Sequence, residues 1–389
     1  MGNIKISEVI KKYTMVIALV VVTIFFATQK SGAILLPQNV TNLIAQNAYV
    51  FILATGMLFC ILTGGNIDLS VGSVVCFVGA IGGQLMVNKG MNVYLAILIM
   101  ILIGTLIGAW QGFWIAYVRI PPFIVTLAGM LIFRGLSNVV LQGLTIAPMP
   151  DNYLELFNNY VPDFIGMEGL NMTCFLAGVI ACVAYVAVII WGRKQKLSKG
   201  YAVEPMGGVA VKMAVICVVI LAFMYRLAQY KGIPNSLLWV IIVIAVYTYI
   251  ASKTTVGRYF YAVGGNEKAT KLSGINTNRV YFLAYANMGF LSAIAALVVV
   301  ARLNSANPTA GTNYEMDAIG SCFIGGASAY GGTGTVPGVI IGATLMGVIN
   351  LGMNIMGVDA NYQKVVKGAV LLVAVIFDVV SKRKSFIAK

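Results

Sequence analysis

The chain reads as a series of apolar segments punctuated by charged residues or by glycine and proline. The segments lie at about 13–28, 43–63, 71–87, 94–118, 123–143, 171–191, 213–228, 236–251, 280–302, 318–330, 338–357 and 364–380. Most approach the roughly 20 residues that an α-helix needs to cross a hydrocarbon layer. A few, 318–330 above all, are shorter, and such pieces are expected to be broken, re-entrant or covered by protein. The pattern predicts an all-α polytopic membrane protein of about 10–12 transmembrane helices with both termini on one side.

Composition agrees. Sixty per cent of the 389 residues are apolar and only 10% are charged, against about 45–50% and 25% in soluble domains. A soluble fold of this length would need far more charge on its surface, so lipid must cover the outside. There is no histidine, which excludes imidazole acid–base catalysis and His-ligated zinc or haem. The six cysteines all lie in apolar stretches without a C-x-x-C pair, and they read as small packing residues, with no metal site expected.

The net charge of +14 would point to nucleic acid in a soluble protein. Here it maps onto the two sides of a membrane. Eighteen of the 26 basic residues fall on the amino-terminal side, including Arg119, the run from Arg193 to Lys212, and the five from Lys253 to Arg279. Seven fall on the other side, among them Arg302, Lys364 and Lys367, and Arg134 lies inside a span. The positive-inside rule therefore puts both termini in the cytoplasm. A cleaved signal peptide after Lys11–Lys12 would invert that order.

Gly-Thr-Leu-Ile-Gly at 104–108 recurs as Ala-Thr-Leu-Met-Gly at 343–347, and Gly129 matches Gly368 at the same offset. Five segments before 144 and five from 236 would enter from opposite sides, the pattern of an inverted repeat. The expected organisation is one membrane domain over 1–389: a first half-repeat at about 13–143, inserted spans at about 171–235, and a second half-repeat at about 236–380.

Three segments interrupt the apolar pattern. Gly64 to Ser73 carries Asn66, Asp68 and Ser70, and a carboxylate at membrane depth needs a cavity, a partner or an aqueous mouth. It reads either as a break lining a polar pathway or as a turn in which Asp68 or Ser70 caps the following helix. Gly325 to Gly338 is dense in glycine but lacks the lysine of a phosphate-binding P-loop, and no Walker motif occurs elsewhere. This segment is either broken backbone beside the pathway or close helix packing by small residues. The third, 252–279, has five basic residues and one acid, with a short helix expected at 267–272 after Gly264-Gly265-Asn266. Its apolar and glycine punctuation at Leu272, Gly274 and Ile275 exceeds what an orientation signal needs and suggests a compact docking element.

Gly257-Arg258 followed by Tyr261-Ala262-Val263-Gly264-Gly265-Asn266-Glu267 and Leu272-Ser273-Gly274-Ile275 resembles the cytoplasmic loop of bacterial ABC importer permeases for monosaccharides, the ribose/xylose/galactose permease family. Ile67 to Ser73, Pro122 to Met130 and Asp317-Ala318-Ile319-Gly320 match further motifs of that family, and the resemblance runs from about 40 to 380. The additional spans at about 192–235 resemble its xylose or multiple-monosaccharide branch.

The resemblance implies the permease subunit of an ATP-driven importer rather than an enzyme. Xylose, ribose, galactose and arabinose define the expected substrate class. It further implies a homodimer of permeases in the bacterial inner membrane and an extracytoplasmic sugar-binding protein. A separate ABC ATPase subunit would hold the ATP and magnesium, and this chain would bind no cofactor of its own. By the same carry-over Gly257, Arg258, Gly264, Gly265, Asn266, Glu267, Lys271, Leu272 and Gly274 form the ATPase-coupling loop, with Glu267, Lys268 and Lys271 as rim charges.

For the translocation pathway the polar candidates are Asn47, Asn66, Asp68, Ser70, Asn350 and Asn354. Interhelical hydrogen bonding explains the three span residues Asn47, Asn350 and Asn354 equally well. Arg134 is expected to pair internally or snorkel. The acids of the outer loops 144–170 and 303–317, among them Asp163 and Asp317, are candidates to receive the binding protein. An ion-coupled secondary sugar transporter is the alternative class, since it too uses inverted repeats.

Overall fold

A computed structural model describes residues 6–29, 32–166, 169–203 and 205–387, with side chains between 14 and 380. Among them the secondary structure is helical, apart from isolated bridges that include the antiparallel pairs Ile146 with Ala306 and Tyr160 with Pro234. In chain order the helices are α1 (Ile6–Gln29), α2 (Pro37–Leu62), α3 (Val71–Gly83), α4 (Val93–Ala116), α5 (Pro122–Leu141), α6 (Asp151–Phe157), α7 (Met172–Ser198) and α8 (Met206–Ala228). They continue with α9 (Asn235–Lys253), α10 (Thr255–Gly265), α11 (Glu267–Leu272), α12 (Thr277–Leu303), α13 (Tyr314–Ile324), α14 (Val336–Met356) and α15 (Ala360–Ile387).

Nine of these are long and apolar enough to cross a membrane: α2, α3 with its π-turn extension Gln84–Asn88, α4, α5, α7, α8, α9, α12 and α14. The other three predicted segments coincide with α1, with the short α13 and its glycine-rich exit, and with α15. Helix α11 spans the residues expected from the sequence. The amphipathic α10 before it and α6 in the 144–170 loop were not anticipated.

Helices α2 and α12 form the centre. Their most apolar 18-residue windows are 89% and 78% buried, so their apolar character all round reflects protein contact rather than lipid. Helix α12 packs most extensively on α4, where glycines let the two backbones touch. A Cβ on Gly108 would strike the Tyr285 carbonyl oxygen, and one on Gly289 would strike that of Gly104. Lipid tails are as apolar as leucine, so such close van der Waals packing is what draws helices together in a membrane.

Helices α7 and α8 behave differently. They pair with each other, and only 17% and 6% of their apolar windows are buried. The chain enters and leaves this hairpin at one narrow neck. There Tyr160 bridges Pro234, the Val161 amide donates to the Ile233 carbonyl (2.9 Å), and the Asn235 amide donates to that of Asn159 (2.8 Å).

Candidate functional site

The three segments that interrupt the apolar pattern converge at one end of the bundle. The Gly332 amide, in the second glycine-rich break, donates to the carbonyl of Leu62 at the end of α2 (3.0 Å). Gly264, in the last turn of α10, sits against both: a Cβ there would strike the Leu62 carbonyl oxygen and lie 2.5 Å from the Gly332 nitrogen. The Tyr261 hydroxyl donates to the Gly334 carbonyl (3.0 Å), and the Ala329 amide donates to Asp378 Oδ2 on α15 (3.0 Å). Gly265, by contrast, has open space where a Cβ would stand.

Helix α11 follows directly. Asn266 caps it, its Oδ1 accepting from the Ala269 amide (3.0 Å). Gly274, at φ +84°, closes its end, and the Ile275 amide turns back to the Thr270 carbonyl (3.3 Å). The Ser-Gly-Ile punctuation is thus a helix stop. Arg258, Lys268, Lys271 and Leu272 are exposed, Leu272 at 90%.

Glu267 is not a free rim charge. Its Oε1 accepts from Arg119 Nη1 (2.9 Å) and from the Thr277 hydroxyl (3.2 Å), and its Oε2 accepts from the Tyr281 hydroxyl (3.1 Å). Arg119, between α4 and α5, also donates to Asn278 and lies 5.3 Å from the Tyr281 ring centre. Partial burial alone would raise the Glu267 carboxyl, but the hydrogen bonds from Arg119, Tyr281 and Thr277, with the charge of Arg119, hold it below the usual range. This clamp joins α11 to the α4–α5 turn and to α12. The sequence offered only positions for it, since Arg119 counted there as an orientation signal.

The polar candidates fall into separate places. Asp68 is buried, and its Oδ1 accepts from the Ser70 amide (2.8 Å) and hydroxyl (2.7 Å); Gln111 Nε2 donates to that same hydroxyl (2.8 Å). Asn66 is local, donating to the Thr63 carbonyl (3.2 Å). Asn47 and Asn350 meet in the α2–α14 contact, with Nδ2 of Asn350 3.3 Å from Oδ1 of Asn47. Asn354 lies near the far end of α14 and accepts from Gln363 (2.9 Å). Arg134 pairs internally, donating to the carbonyls of Pro308 (3.2 Å) and Ala310 (2.7 Å).

One expectation about the outer acids is corrected, and the other acid is found to be a helix cap. Asp317, expected in an outer loop, is 1% exposed and paired with Lys367 Nζ (2.9 Å), while the Tyr49 hydroxyl donates to its Oδ2 (2.6 Å). Helix α13 begins at Tyr314 rather than 318, which brings Asp317 inside a helix, and Lys367 lies in the second turn of α15. Desolvation makes each the other's necessary partner. Asp163 caps the start of α7, accepting from the Thr173 hydroxyl (2.8 Å) and from the amides of Ile165, Thr173 and Met172 (3.2 Å each). Those bonds, the Thr173 hydroxyl first, hold its carboxyl well below the usual range.

The two halves share a motif that the sequence comparison missed. At the offset of 239 relating 104–108 to 343–347, Asp68-x-Ser70-x-Gly72 aligns with Asn307-x-Thr309-x-Gly311. Asn307 Oδ1 accepts from the amide and the hydroxyl of Thr309 (2.8 Å each), as Asp68 does from Ser70. Gly72 and Gly311 touch reciprocally, since a Cβ on either would strike the other's carbonyl oxygen. Gly129 and Gly368 are less alike: the first faces Gln111 and Ser70, the second open space.

A bundle of apolar helices with two broken segments, and the short amphipathic α10 seated against both, is the architecture of a polytopic membrane protein. Residues 39–375 match the family described as branched-chain amino acid transport system / permease component, and the chain belongs to that family. Its members are multi-pass membrane proteins whose ATP hydrolysis resides on a separate subunit. Among curated proteins the chain is similar to the xylose transport system permease protein XylH of Escherichia coli (strain K12), with 36% identity over 96% of this chain and 93% of that one. It is 36% identical to the ribose import permease protein RbsC of Bacillus subtilis (strain 168), over 88% of this chain and 85% of that one. No solved structure matches it.

Proposed function

We propose that this chain is the translocating subunit of an ATP-driven importer for a neutral monosaccharide of the xylose, ribose, galactose or arabinose class. An external binding protein delivers the sugar, and two permease copies form the pathway between them, in a bacterial inner membrane with both termini in the cytoplasm. Similarity to sugar permeases along almost the whole chain supports a sugar over an amino acid.

The coupling assignment rests on one observation above all: α10 contacts both chain breaks through Gly264, and α11 is clamped to α4–α5 and α12 through Glu267. A short helix held this way passes the closing motion of a docked ATPase to the spans as a rigid body. Gly257, Arg258, Gly264, Gly265, Asn266, Glu267, Lys271, Leu272 and Gly274 make up this element. Gly264, Asn266, Glu267 and Gly274 shape it, while Arg258, Lys271 and Leu272 meet the partner. Asn66, Asp68 and Ser70 belong to the inner break, and Asn47, Asn350 and Asn354 to the α2–α14 side of the pathway.

An inverted repeat of ten to twelve spans accounts for the shared motif around Asp68 and Asn307. The helix pairing supports it: α4 lies on α12 as α14 lies on α2, and α3 pairs with α5 as α13 does with α15. Helices α1 and α9 depart from the relation, α1 packing on α14 and α9 on α2.

The test is sugar uptake into proteoliposomes holding the permease, its ATPase and the binding protein. Uptake is expected to require ATP hydrolysis. Uptake that persists without the ATPase and follows a pH gradient overturns this function and favours an ion-coupled carrier.

A further inference from the structure

At the end of the bundle opposite α11, a cavity of about 300 Å³ opens between α2, α12, α13 and α14. This is the lower end of the range for small-ligand sites, roughly 300–1,000 Å³. Val298 and Val299 form an apolar wall, and Gln46, Tyr49, Arg302, Tyr314 and Asn354 supply the polar and aromatic lining. Tyr314 is stacked on Tyr49, with ring centres 3.6 Å apart. Tyr49 is in turn tied to the Asp317–Lys367 pair.

Two of these groups lack a protein partner among the described residues. Arg302 Nε is buried without a hydrogen bond, a desolvated donor that the protein leaves unsatisfied. The Gln46 carboxamide also bonds to no other group there. The carboxylate of Asp317 is occupied by Lys367 and Tyr49, so it does not neutralise Arg302. A guanidinium, two carboxamides and an aromatic face together offer donors, acceptors and an apolar plane, which suits a hydroxyl-bearing ring.

We infer that this cavity is the permease's own first subsite for a neutral monosaccharide, with Arg302 and Gln46 hydrogen-bonding its hydroxyls and Tyr314 facing its ring. The inference rests on the sugar-import function proposed above. The cavity opens on the face that receives substrate in that function, and Tyr49 links its floor to α13 and α15. Occupation of the subsite is thereby felt by the helices that must move.

The test uses the full assembly in proteoliposomes, with radiolabelled xylose and ribose at saturating binding protein. Arg302→Ala and Gln46→Ala are each expected to lower the initial uptake rate about tenfold, the loss of one or two hydrogen bonds, and to change the xylose-to-ribose ratio. Ala45→Trp, which fills the cavity from α2, is expected to abolish uptake. In all three, co-purification of the ATPase and thermal stability are expected to match the unaltered protein, which separates loss of the subsite from loss of the fold. Uptake by the unaltered assembly that all three variants retain overturns the subsite alone. Absence of uptake of either sugar by the unaltered assembly overturns the monosaccharide function and the subsite with it.

Discussion

The two ends of the bundle differ in what fills the centre of the junction, although side chains from Arg119, Glu267, Thr277 and Tyr281 also clamp α11 at one of them. At the α10–α11 end, backbone lies directly on backbone: Leu62, Gly264 and Gly332 meet with no side chain between them. At the other end side chains do the joining, through Tyr49, Asp317 and Lys367, and a cavity remains. Close-packed backbone has no slack and passes on displacement, whereas side chains change rotamer and leave room for a ligand. The contrast suits the coupling role proposed for one end and the sugar subsite proposed for the other.

The sharpest way to break this contrast is at neighbouring glycines. Gly264→Val is expected to abolish recovery of monodisperse protein in detergent, because the Leu62 carbonyl and the Gly332 amide cannot both retreat. Gly265→Val meets open space and is expected to leave the melting temperature nearly unchanged while weakening ATPase association. Equal behaviour of the two variants would remove the special role of the Gly264 contact.

Next in size is the ion pair at the cavity end. Lys367→Met leaves Asp317 charged and buried, and is expected to cost about 3–5 kcal/mol, read as a lowered unfolding midpoint. Adding Asp317→Asn is expected to restore much of that loss. A third variant, Arg119→Ala, removes a partly exposed pair whose contribution to stability is under about 1 kcal/mol. It is expected to keep the ATPase bound and lower ATP-driven uptake severalfold, because α11 is no longer tied to the α4–α5 turn. Unchanged uptake would mean that α12 alone carries the motion.

The smallest effect is one of pH. Because Glu267 titrates below its ordinary value in the folded protein, its contribution is present above the unfolded value of about 4.3 and is lost as pH falls through the lower folded value. Protection of the α11 amides against hydrogen exchange, taken relative to the intrinsic rate at each pH, is expected to be constant from pH 7 to about 5 and to fall in more acid solution. Glu267→Gln is expected to flatten that dependence.

Much of the fold was legible because lipid forces long apolar runs, and each of the twelve predicted segments coincides with a helix. Helix α11 was legible as well, from the Gly264-Gly265-Asn266 turn ahead of it, though Gly274 behind it suggested part of a docking element rather than the helix stop. What escaped depends on pairing across long separations. Asp317 and Lys367 are 50 residues apart; Asp317 stood just outside a predicted span and Lys367, at the start of another, counted among the outer-side charges, so neither looked buried. Arg119 and Glu267 are 148 apart, and charge counting had already accounted for both. The aligned Asp68 and Asn307 motifs differ in charge, which hid the hydrogen-bonding pattern they share.

The neck below α7 and α8 has a consequence for the history and handling of the chain. Residues 161–233 leave and rejoin the path at a single point, fixed by Tyr160 and Pro234, so removing them would not reroute what lies on either side. Away from its foot, where Leu227 and Ala228 are buried and α8 packs on α2, such a hairpin is an appendix. Replacing its distal turns by a fluorescent or affinity module is expected to leave the order and spacing of the remaining helices unchanged.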